Sequence, residues 1–141
     1  MNPILKNILA VVLGIVTGSI VNMGILHFGN ILIPLPEGTD TNTAEGLKAA
    51  IPLFELKHFL TPFFAHALGT LAGAIVAARI AATNKLKIAL TIGFFFFLGG
   101  FSMIFMIPSP LWFSLTDLIL AYIPMAYLGA RLAGGNETSI F

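Results

Sequence analysis

The chain carries four long apolar runs, each bounded by charge, proline or glycine, and these restrict its fold more than any other feature. The hydrocarbon core of a bilayer is about 30 Å thick and takes roughly 20 apolar residues to cross as a helix. Helices suit this because no water is present to satisfy an unpaired backbone group. The runs predict spans over 5–33, 61–82, 86–107 and 111–133, joined by one sizeable loop over 34–60. A soluble fold cannot hide them: of 141 residues, 57% are hydrophobic and only 9% charged, where an ordinary soluble domain has about 25% charged. The expected class is all-α, a four-transmembrane-helix bundle forming a single membrane domain over 1–141. The first run continues from Ile8 to Ile33, beyond the roughly 7–15 residues of a signal-peptide core, and no Ala-x-Ala pattern follows it. It is therefore expected to stay as a span, tilted or broken near Gly24 or Gly29.

Local signals fix the ends. Thr61 as N-cap and Pro62 at the first helical position predict the start of the second span. The Pro108-Ser109-Pro110 turn precedes the fourth, which Gly134 and Gly135 should stop and Pro124 should kink. Within the loop, Asn42 followed by Glu45 resembles a capping box, and Ala49, Ala50, Leu53 and Phe54 fall on one apolar face. A short interfacial helix interrupted at Pro52 is expected there.

Orientation follows from lysine and arginine near the span ends. Lys6, Arg79, Lys85, Lys87 and Arg131 all fall on one side if both termini are cytoplasmic (N-in/C-in), which places the loop outside. Arg79 and Arg131 can snorkel to the interface. The loop's Glu37, Asp40, Glu45 and Glu55 read as a solvated face, with Lys48 and Lys57 the only dissent. The sequon Asn136-Glu137-Thr138 would then lie on the cytoplasmic side, out of reach of glycosylation.

Lipid supplies no hydrophobic drive between helices, so small residues mark the packing faces. Ala65, Gly69, Gly73, Ala77 and Ala81 recur every fourth residue in the second span, and Gly14 and Gly18 share that spacing in the first. Their partner is either in the same chain or in a second copy. The Phe94–Phe97 run suits lipid or an oligomer neighbour. No internal repeat is visible, which speaks against an inverted-repeat transporter.

Ionisable groups inside a bilayer are costly unless paired, so each is a candidate site. Asp117 lies roughly 9 Å and His66 roughly 6 Å from the outer ends of their spans. Asn22 and Ser102 can share that level, predicting a polar cluster of Asn22, His66, Ser102 and Asp117 that opens outward. Two readings stand: a ligand or proton site, or mutual satisfaction as interhelical glue. The hydroxyls of Tyr122 and Tyr127 also need partners inside the fourth span. His27 and His58 read as wetted interfacial side chains. The sharper alternative joins them to His66 as metal ligands, or as haem ligands between the first two spans, but no close-spaced histidine pair supports a metal or haem, and the cofactor is left unknown.

The absence of cysteine removes disulfides and thiolate metal sites, and a net charge of +1 gives no footprint for nucleic acid. No nucleophile constellation or phosphate-binding loop occurs, so an enzyme of soluble type is excluded. An intramembrane enzyme would have only His66 and Asp117 to work with.

The stretches Lys57-His58-Phe59-Leu60-Thr61-Pro62-Phe63-Phe64-Ala65-His66-Ala67-Leu68-Gly69-Thr70 and Trp112–Ala126 resemble segments of an uncharacterised family of small bacterial integral membrane proteins with four transmembrane helices. The resemblance spans nearly the whole chain and implies a bacterial inner membrane, without an activity to carry over. Departures from two other groups are plain: the chain lacks the paired cysteines of thiol-oxidising four-helix enzymes and the early membrane glutamate of small multidrug exporters. The expectation is a small binding or transport protein in a lipid bilayer, as a homo-oligomer or with a membrane partner subunit. The alternative is a non-catalytic accessory or scaffold subunit.

Overall fold

The first apolar run becomes one unbroken helix, α1 (Pro3–Leu32), with no break at Gly24 or Gly29. Pro3 lacks only an N–H that a first-turn residue would leave unpaired, and the Asn2 side chain caps the next one, accepting from the Ile4 N–H at 2.8 Å. The computed structural model describes residues 1–135, so the Asn136-Glu137-Thr138 sequon lies outside the described residues. Among them all regular structure is helical: α2 (Ala44–Ala50), a 3₁₀ turn (Ile51–Leu53), α3 (Leu56–Ile80), α4 (Lys85–Met106), α5 (Leu111–Leu120) and α6 (Ile123–Leu132). Four segments are long and apolar enough to cross a membrane: α1, α3, α4, and α5 with α6 taken together.

Two helix starts differ from the sequence expectation. Thr61 and Pro62 do not open α3; they lie inside it, because Glu55 and His58 form a reciprocal cap a turn and a half earlier. In the loop, Thr43 rather than Asn42 caps α2, its hydroxyl accepting from the Gly46 N–H at 3.0 Å. Pro52 then turns the chain from α-helix to 3₁₀.

The fourth span is broken, not merely kinked. Pro124 offers no N–H to the Leu120 carbonyl, Tyr122 leaves helical geometry at φ −115°, ψ −78°, and α6 restarts at Ile123. At its far end Gly134, at φ +82°, and Gly135 close a Schellman-type cap, with Gly135 N–H donating to Ala130 O at 2.7 Å.

Short connections make α3, α4 and α5 antiparallel in turn, and the pairing of Gly14 with Gly73 and Gly29 with Thr61 sets α1 antiparallel to α3, which gives the bundle a terminal end and a loop end. At the terminal end Asn7 fastens α1 to the α3–α4 turn: its Oδ1 accepts from the N–H of Ala82 at 2.8 Å and of Thr83 at 3.3 Å, and its Nδ2 donates to Thr83 Oγ1 at 2.9 Å. Above this latch the backbones approach through small residues. A Cβ on Gly14 would lie 2.8 Å from Gly73 O, and one on Gly18 would lie 2.8 Å from Gly69 O, so the stripes of α1 and α3 face each other within one chain. Gly129 of α6 meets Ala74 of α3, and Gly93 of α4 meets Ala126 of α6, in the same manner. The resulting core of Ala74, Ala77, Ala78, Leu86, Ala89, Ile92, Ala126 and Ala130 is fully buried. The larger apolar side chains, such as Ile8, Ile20, Phe28, Phe94 and Phe105, point outward.

Candidate functional site

The loop half is built differently. Gly14 of α1 packs on Ile92 of α4 and Gly18 on Phe96; beyond that level residues of both helices, within 18–30 and 96–107, face a common space. Meanwhile α1 stays against α3 as far as Gly29, which sits on Thr61. The space that opens is a cavity of about 900 Å³, walled by α1, α3, α4 and α5 and roofed by parts of the 34–60 loop, including Leu35, Leu47 and Phe54.

Its polar centre is built on the break in the fourth span. Residues i and i+5 of a continuous helix point about 140° apart. Because the helix stops after Leu120, Tyr122 instead turns back and donates its hydroxyl to Asp117 Oδ2 at 2.9 Å. From α3, His66 Nδ1 lies 2.9 Å from Asp117 Oδ1 and 3.0 Å from Oδ2, and its ring stacks on Tyr122 at 5.8 Å between centroids. Asp117 is 5% exposed, so the carboxylate is removed from solvent and held by two donors. With the Nδ1 proton committed to the carboxylate, Nε2 of the neutral ring presents its lone pair. Among the described residues His66 bonds through Nδ1 alone, and its side chain, 31% exposed, lines the cavity. The arrangement is that of an oriented imidazole: the carboxylate fixes tautomer and angle, leaving one nitrogen for a proton or a hydrogen-bonding group.

Asn22 also lines the cavity, on the α1 face that meets Gly69. Ser102 does not join it: its hydroxyl donates to Leu98 O at 2.8 Å on an exposed face of α4. Two buried serine or threonine hydroxyls stand in the cavity wall in its place. Ser114 is buried and stands a turn before Asp117 on α5. Thr70, a turn beyond His66 on α3, is 1% exposed, and its Oγ1 has no hydrogen-bond partner among the described residues. Helical spacing, i+4 from His66 and i−3 from Asp117, was the only sequence signal for either.

The three histidines are not brought together, and no group of three potential metal ligands forms among the described residues. His27 is exposed, its ring edge-on to Phe28. His58 is buried at 5% exposure instead of wetted. Its Nδ1 accepts from the Glu55 N–H at 2.8 Å, and Nε2 lies 3.2 Å from Pro34 O, which fixes the Nε2–H tautomer and uses both nitrogens. His58 thereby ties the start of the 34–60 loop to the start of α3. No family model, curated protein or solved structure matches the chain.

Proposed function

We propose that the chain is a small multi-pass protein of a bacterial inner membrane, with both termini cytoplasmic and the cavity opening outward, that binds or carries a small ligand or a proton at His66 and Asp117. One contrast carries this reading. A histidine serving only as glue closes both nitrogens inside the fold, as His58 does. His66 closes one and turns the other to a cavity, backed by a buried carboxylate. The break at Tyr122 supports it as well, since an interrupted helix at membrane depth is tolerated where it lines a cavity. Lys6, Arg79, Lys85, Lys87 and Arg131 gather toward the terminal end, which supports the orientation.

The test is reconstitution into vesicles, where His66→Ala and Asp117→Asn should each abolish ligand-dependent stabilisation or proton flux while insertion and particle size stay as in the wild type. Unchanged behaviour in both variants sinks the pocket reading. An accessory-subunit role draws on a different observation, the exposed face of Phe94, Phe95, Phe101 and Phe105 on α4. Lipid meets that face equally well. Co-purification of a second polypeptide, lost on replacing these phenylalanines and indifferent to Asp117, would favour it.

A further inference from the structure

Resting on the pocket reading above, we propose that the ligand is a membrane amphiphile with an uncharged, hydroxyl-bearing headgroup. The headgroup sits deep at His66, Thr70 and Asn22, and the tail leaves between α1 and α4.

The donor set selects the headgroup. Thr70 is the second, independent mark of a ligand: a hydroxyl buried in the cavity wall without a partner among the described residues. Serine and threonine in helices commonly donate back to the carbonyl four residues earlier, as Thr91, Ser102 and Thr116 do here at 2.9, 2.8 and 2.7 Å. Thr70 does not donate in this way to His66 O, and leaving a buried hydroxyl unsatisfied is costly. Its neighbour one turn away, His66 Nε2, is an acceptor in the neutral ring. An alcohol can donate to Nε2 and at the same time accept from Thr70 or the Asn22 amide. A phosphate cannot be held as well, because the described cavity lining contains no lysine or arginine. The one carboxylate in the described lining that could balance an ammonium is Asp117, whose oxygens already accept from His66 and Tyr122.

The shape of the cavity selects the tail. It extends along α1 from Gly18 to Asn30, about 18 Å of helix rise, far more than a proton or small ion needs. Between its polar ends the wall is Leu26, Phe96, Met103 and Ile104. It lies between α1 and α4, and its lining residues Met23 and Met103 are both exposed. A slot lined this way faces acyl chains when the bundle is in a bilayer.

The experiment uses the full chain in phosphatidylcholine nanodiscs with three photoreactive probes that share one diazirine-bearing acyl tail: a monoacylglycerol, a lysophosphatidate and an acyl amine. Peptide mapping should place the monoacylglycerol adduct on 22–30 and 96–107, with the two charged probes labelling far less. Thr70→Val should weaken monoacylglycerol labelling about tenfold, the effect of losing one buried hydrogen bond. The same variant should raise the melting temperature of the ligand-free protein, because an unpartnered buried hydroxyl has been replaced by a methyl, and a purely structural threonine would not give these opposite signs. Labelling that ignores both headgroup and Thr70 overturns the amphiphile assignment. Stabilisation by free glycerol in the same nanodiscs, abolished by His66→Ala, would then leave the pocket reading in place; its absence would remove both.

Discussion

Asp117 accepts from an imidazole N–H and a phenol O–H at once, with His66 Nδ1 reaching both of its oxygens. Asp117→Asn removes the charge that strengthens both bonds and replaces one of the two oxygens with an NH₂ group, a donor set against a donor. That variant should lose the fixed His66 orientation. Tyr122→Phe is milder, leaving the His66 bond in place and costing about 1 kcal/mol, as interhelical hydrogen bonds in membranes do. Denaturation curves in mixed micelles should therefore rank wild type, Tyr122→Phe and Asp117→Asn in falling order. The pairing of His66 with Asp117 was legible in the sequence because both stand at similar depth from the same end. Depth was not enough for Ser102: the inward face of α4 runs through Ile92, Gly93 and Gly100, and a residue two positions past Gly100 is turned about 200° away from it. His58 was misread because a polar residue beside Lys57 looks like wetted loop, and only the cap it forms with Glu55 explains its burial.

At the scale of elements, two features control the site. The glycine faces set the distance between α1 and α3, with a Cβ on Gly73 falling 2.5 Å from Gly14 O. Gly18→Ala and Gly73→Ala should each destabilise by about 1–3 kcal/mol, as overpacking does. Gly24→Ala, with nothing within 4 Å, should be neutral or stabilising by up to about 1 kcal/mol, since alanine is the better helix former. Parallel unfolding curves of the three variants check both directions. The helix break is the other control. Pro124→Ala restores an N–H for Leu120 O and lets α5 run into α6, which carries Tyr122 away from Asp117; spin-label distances across 111–132 should lengthen and ligand stabilisation should fall. Proline signals were readable in part. Pro124 marked an interruption correctly, whereas Pro62 suggested a helix start, because a missing N–H is harmless at a first turn and tolerable inside a helix whose cap lies further upstream.

For the molecule as a whole, the division of labour runs along the bundle axis. One half is sealed by alanine and glycine and latched by Asn7; the other opens into the cavity under the 34–60 loop. The number of helices long and apolar enough to cross a membrane could be read from run length alone, whereas the start of α3 could not. Nor could the cavity, which lies between α1 and α4 and which no local pattern records. The chain has no cysteine, so single cysteines report sidedness cleanly. Thr39→Cys should react with an impermeant maleimide added to intact spheroplasts, and Ala133→Cys only after lysis. The central claim, that the cavity holds a ligand through the oriented His66, is tested most directly by native mass spectrometry of the protein released gently from its own membrane, wild type against Asp117→Asn. The account predicts a bound small molecule or lipid on the wild type that is absent from the variant. A bare wild-type protein, or a companion retained equally by both, would contradict it.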